Sequence, residues 1–99
     1  MKLHIAPKHL SILQRILQGK PYKLYAFGSR VTGKHKRFSD LDLCYFEAMP
    51  SKELMRLEEA LMDSDLPYKV DLVDGASCNQ AFQARIKAQM VALPQPPDS

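Results

Sequence analysis

Two aspartates, Asp40 and Asp42, stand two residues apart in the segment SDLDLCYF. In an extended chain this spacing puts both carboxylates on one face, about 6–7 Å apart along the strand. Like charges so placed repel each other unless something positive sits between them. A hard cation such as Mg2+ relieves the repulsion, because it prefers carboxylate and phosphate oxygens. A third aspartate, Asp71, lies in YKVDLVD with the same alternation. If the two segments pair in register, all three carboxylates point at one spot. Three carboxylates beside a phosphate grip suit two-metal phosphoryl transfer, with one metal on the triphosphate and one activating the attacking hydroxyl.

The grip itself is sought in GSRVTGKH, residues 28 to 35. Gly28, Gly33 and Lys34 match the opening of a P-loop, but His35 stands where that motif needs a magnesium-binding Ser or Thr. The glycines also run into a polar stretch and a strand rather than a long helix, so the P-loop reading fails. A different reading uses the whole stretch. Gly28 has no side chain, so a phosphate can come close to its backbone. Ser29 follows with a hydroxyl and an N–H, at the start of a short helix expected to run to Gly33. Helix N-termini favour anions because their first N–H groups lack partners.

The elements that must hold these residues follow from periodicity. Residues 7–18 predict a helix, with Pro7 in its first turn and Leu10, Leu13, Ile16 and Leu17 on its apolar face. YKLYAF, residues 22–27, predicts a strand broken at Gly28. DLDLCYF, residues 40–46, alternates: Leu41, Leu43 and Tyr45 one way, Asp40, Asp42 and Cys44 the other. A second long helix is expected over 51–64, capped by Ser51 and striped by Leu54, Leu57 and Leu61. A strand follows over 68–74, with Val70 and Leu72 opposite Asp71 and Val73. Ser77 and Gln80 have capping-box spacing and open a third helix over 78–92, with Phe82, Ile86 and either Met90 or Leu93 on its apolar side. The tail PQPPDS, residues 94–99, has nothing to bury and is expected to be disordered. The result is an α/β (α+β) fold: one domain over 1–93, with helices on a three-stranded sheet and room for an extra edge strand.

Composition is consistent with this. The chain has 99 residues, 45% apolar and 25% charged, enough for one modest core and unlike a disordered chain. A net charge of +3 is compatible with a nucleotide partner. The basic run from Lys34 to Arg37 has no aromatic platform, so it reads as a solvated loop and direct nucleic-acid binding is not expected. No apolar run is long enough to span a membrane, and a cytoplasmic location is expected. Cys44 and Cys78 have no paired or zinc-like spacing and read as free thiols; His4, His9 and His35 form no ligand pattern.

Gly28–Ser29, ten residues, then Asp40-x-Asp42 and a later strand aspartate resemble the nucleotidyltransferase superfamily that includes DNA polymerase beta. The short chain, SDLDL, KVDLVD and the helix AFQARIKAQMVAL resemble its minimal nucleotidyltransferase (MNT) group in particular. The similarity spans roughly residues 8–93. It departs from the family's usual pattern between Gly28 and Asp40, where Arg30 is the single arginine between the glycines and Lys34, Lys36, Arg37 and Phe38 replace acidic residues.

The resemblance implies a mixed sheet with helices, ATP as substrate and two Mg2+ ions. It implies that Gly28, Ser29, Arg30 and Ser39 bind the nucleotide. Asp40 and Asp42 would hold both metals, and Asp71 would complete the second and help deprotonate the acceptor. It further implies a hetero-complex with a HEPN-domain toxin, in which this chain is a type VII-like antitoxin that transfers AMP to a toxin tyrosine. A homodimer is a second way to cover so shallow a site. Two other functions compete. A silent module could neutralise its partner by docking, but it has no use for three converging carboxylates. A small-molecule nucleotidyltransferase usually carries a further acceptor domain, which 99 residues do not accommodate.

Overall fold

The computed structural model describes residues 2–94. The chain runs α1 (Pro7–Leu17), β1 (Tyr25–Phe27), α2 (Ser29–Thr32), β2 (Leu41–Tyr45), α3 (Ser51–Met62), β3 (Val70–Asp74), a 3-10 turn (Gly75–Ser77), α4 (Gln80–Gln89) and β4 (Val91–Ala92). The sheet is four-stranded and mixed, in the order β3-β2-β1-β4. β1 is antiparallel to both β2 and β4, and β2 is parallel to β3. The parallel pair needs a crossover, which α3 supplies.

Alternation along the strands divides the core in two. Ala26, Leu41, Leu43 and Tyr45 face a main cluster filled by Leu13 and Leu17 of α1, Val31 of α2, and Leu57 and Leu61 of α3. On the opposite face Phe27, Cys44 and Ile86 form a smaller cluster, with Val73 and Met90 packed against it. α4 therefore covers the face toward which Asp42 and Asp71 point.

Several expected boundaries move. The first strand begins at Tyr25 rather than at residue 22. Pro21 has no N–H to give, and Leu24 adds one bond outside the strand, its carbonyl accepting the Leu93 N–H at 2.9 Å. Ser51 does not cap α3; it is the first helical residue after Pro50. α4 is capped not by Ser77 but by Asn79, whose Oδ1 accepts the Phe82 N–H at 2.8 Å. Ser77 instead donates its hydroxyl to Asp74 at 2.8 Å, within the 3-10 turn.

α4 ends at Gln89, short of the expected residue 92, because the next residues complete the sheet as β4 against the open edge of β1. Met90 stays with Ile86, whereas Leu93 crosses to the main cluster. Of the proline-rich tail, residues 95–99 lie outside the described residues.

Candidate active site

Register brings the first two candidate residues together. Asp42 of β2 pairs with Asp71 of the parallel β3, and with Phe27 of β1 on its other side. Adjacent strands are about 4.8 Å apart, so two side-by-side carboxylates emerge on one face. Gly28 follows Phe27 directly, with φ at 81°. A Cβ there would lie 2.5 Å from Asp42 Oδ2. The glycine therefore serves twice: it takes a positive φ that other residues resist, and it leaves room for the Asp42 carboxylate.

Electrostatics mark Asp42 as the centre of the group. Burial raises its pKa above the ordinary 3.8, and the charges of Asp71 and then Asp40 raise it further. Asp40 lies just before β2 and is exposed. Asp71 is ion-paired, its Oδ1 3.2 Å from the Lys69 ammonium. Asp71 and Asp40 thus both lie close enough to Asp42 for their charges to act on it. Among the described residues no three His, Cys, Asp or Glu side chains gather closely enough to hold a metal ion. Asp40 lies outside the paired strand, and Asp71 is held by the Lys69 ammonium. The donor set still suits a hard cation. It is all oxygen, it is mutually repelling, and Lys69 already stands on Asp71 as a positive charge.

The expected phosphate grip has a partner that the sequence did not disclose. The Gly28 N–H donates to Gln89 Oε1 at 2.7 Å, tying the last residue of α4 to the loop. Spacing gives no signal for this contact, since the two residues are 61 apart in the chain. Ser29 is the half-buried first residue of α2, beside Gly28.

Arg30 is placed differently from the phosphate contact that its position suggested. It is 4% exposed. Its Nε donates to the Ser39 carbonyl at 3.0 Å, and its two terminal nitrogens donate to the carbonyls of His4 at 3.2 Å and Arg37 at 3.1 Å. Its guanidinium also stacks 3.9 Å from the Tyr68 ring centroid. Arg30 thus holds the loop that leads into Asp40 from behind. Ser39 is part of the same loop, its Oγ accepting the Lys36 N–H at 2.7 Å.

A small mixed sheet with a Gly-Ser turn facing paired strand aspartates is the arrangement of a nucleotidyltransferase. The profile of the family described as "Polymerase beta, Nucleotidyltransferase" matches residues 11–95, and the chain belongs to that family. Among curated relatives, the "Probable protein adenylyltransferase MntA" of Haemophilus influenzae is 42% identical over 96 residues, spanning 93% of this chain and 84% of the relative.

Two solved structures share the fold. A crystal structure of a toxin-antitoxin with AMP-PNP superposes with a TM-score of 0.66 at 23% identity, over 87% of this chain and 73% of the other. A mutant of the toxin-antitoxin MntA-HpeT carrying two aspartate-to-glutamate changes superposes with a TM-score of 0.59 at 18% identity, over 87% and 72%. No helix among the described residues is long and apolar enough to cross a membrane.

Proposed function

We propose that this chain transfers AMP from ATP to a hydroxyl of a partner protein, a tyrosine of a HEPN-domain toxin for which it is the antitoxin. The observation that carries the reading is the in-register pairing of Asp42 with Asp71 directly beside Gly28, in a chain of this family. The name of the Haemophilus relative supports a protein acceptor, and the toxin-antitoxin assemblies of the same fold support a toxin as that protein.

In this reading Gly28 lets the triphosphate approach the backbone, and Ser29 offers its N–H and hydroxyl to it. Asp40, Asp42 and Asp71 are the residues that would hold Mg2+. When bound, Mg2+ supplies charge neutralisation on the triphosphate and lowers the pKa of the acceptor hydroxyl. Asp71 accepts the hydroxyl proton, and the freed oxygen attacks the α-phosphorus. The bond from that phosphorus to the bridging oxygen breaks, and pyrophosphate leaves. Arg30 acts as a positioning residue, fixing the carbonyls of Arg37 and Ser39 and hence the approach to Asp40. Cys44 and Cys78 are both free thiols, which fits the reducing cytoplasm in which we place the protein.

The test is incubation with Mg2+ and α-labelled ATP, with and without the HEPN-domain partner, followed by intact-mass measurement. Label is expected on the partner and absent with Asp42→Asn. A stable complex that never acquires AMP would leave docking alone as the function.

A further inference from the structure

The fold gathers three histidines that the sequence leaves unrelated. His4, His9 and His35 all line one cavity of about 410 Å3, between the N-terminal segment and the loop after α2. Its remaining polar lining is Lys2, Arg30, Arg37 and Tyr68, and no acidic residue is among the described residues that line it. The cavity is separate from the candidate active site. Tyr68 belongs to the main core cluster, on the face of the sheet opposite Asp42 and Asp71.

Three observations give this cavity an unmet need for negative charge. Arg30 is a buried cation, and among the described residues its guanidinium is bonded to carbonyls only, with no carboxylate as counter-charge. Buried charges are ordinarily paired. The Tyr68 hydroxyl is buried and makes no hydrogen bond among the described residues. The same is true of His35 Nδ1, whose ring lies against His4 with centroids 5.4 Å apart. Buried polar atoms without partners are uncommon enough to require an explanation. One occupant answers all three: an anion that accepts hydrogen bonds in several directions at once. A tetrahedral phosphate does so, whereas a carboxylate offers two oxygens in one plane. The volume is at the small end for ligand pockets, which suits a small ligand.

We propose that this cavity is an anion site for a phosphate group, either inorganic phosphate or the phosphate of a nucleotide, separate from the nucleotidyl-transfer site. Lys2 and Arg37 attract the ligand at the rim. The Tyr68 hydroxyl and the imidazoles bond its oxygens, and the Arg30 charge lies beneath.

The chain holds only three histidines, so their imidazole resonances can be assigned by single substitution. Inorganic phosphate is titrated into the full chain at fixed pH and ionic strength, with EDTA present. The expected result is a saturable shift of the His4 and His35 signals at millimolar phosphate. Affinity is expected to fall about three- to tenfold in Tyr68→Phe and in Arg37→Gln, and to stay unchanged in Asp42→Asn. Arg37→Gln alters an exposed side chain and serves if Tyr68→Phe fails to fold. Titration with AMP separates the sources: tighter binding than phosphate identifies a nucleotide, and equal or weaker binding identifies the free ion. No saturable shift, the same shift with chloride or acetate, or full affinity in the folded variants overturns the proposal.

Discussion

At the scale of the residue, Asp42 carries a charge that its surroundings disfavour. It is half-buried, and like charges at Asp71 and Asp40 add to the cost of burying its own. A raised carboxylate pKa means that the folded state holds the proton more tightly than the unfolded state does. The resulting contribution to stability is present below the ordinary 3.8 and is lost as pH rises through the folded value. At neutral pH the charge is therefore a burden. Asp42→Asn is expected to raise unfolding stability at pH 7 by roughly 0.2–1 kcal/mol, the range for cross-strand pairs. The gain should fade as pH falls from the raised folded value toward the ordinary 3.8 and be absent below it. Calorimetric melts of both proteins without nucleotide or metal test this, and a lower melting temperature for Asp42→Asn at pH 7 would count against it. A residue that destabilises the fold yet occupies its central strand fits a functional role.

At the scale of the element, α4 is the weakly held piece. Ile86 is its one buried residue among those described, worth about 1.5–3 kcal/mol of burial. A single hydrogen bond of about 0.5–1.5 kcal/mol is a sizeable fraction of that. The bond from the Gly28 N–H to Gln89 thus helps to dock α4, but it also occupies a donor that a phosphate would use. Gln89→Ala is expected to lower stability by about 1 kcal/mol. It should also tighten binding of a non-hydrolysable ATP analogue, by about fivefold in calorimetry. Weaker binding at unchanged stability would show instead that Gln89 holds the loop in its binding shape. The same logic explains why Arg30 serves the loop: its three carbonyl contacts join residues 4, 37 and 39, which no regular element connects.

At the scale of the whole molecule, the sheet is covered on both faces, and Cys44 lies in the smaller core at 0% exposure. Burial, with a further push from Cys78, raises its thiol to about 11 from 9.0. The neutral thiol is favoured in the folded state, so this contribution is complete below pH 9.0 and declines as pH rises toward about 11. At pH 8, iodoacetamide is expected to modify the half-buried Cys78 quickly, and Cys44 only as fast as the molecule opens globally. Mass spectrometry over time should show one fast adduct and one slow adduct. Equal rates at the two cysteines would mean that α4 and its core open locally.

Local chemistry was sufficient for much of the fold. The leucine stripes of α1 and α3, the alternation of β2 and β3, and the short helix after Gly28 are all periodic features, and periodicity depends only on nearby residues. The same holds for the choice of Gly28, Asp42 and Asp71 as candidates. Asn79 rather than Ser77 caps α4, because several polar residues near a helix start compete for the same N–H groups, whereas Ser51 enters α3 as its first residue after Pro50 and no side chain caps that helix. Contacts between distant residues were not legible. Nothing local says that residues 91–92 leave the helical pattern to finish the sheet, or that Gln89 reaches Gly28. Nor does it say that His4, His9 and His35 share a cavity. Those outcomes depend on which sheet edge is open and which buried group lacks a partner, and both exist only once the chain has closed on itself.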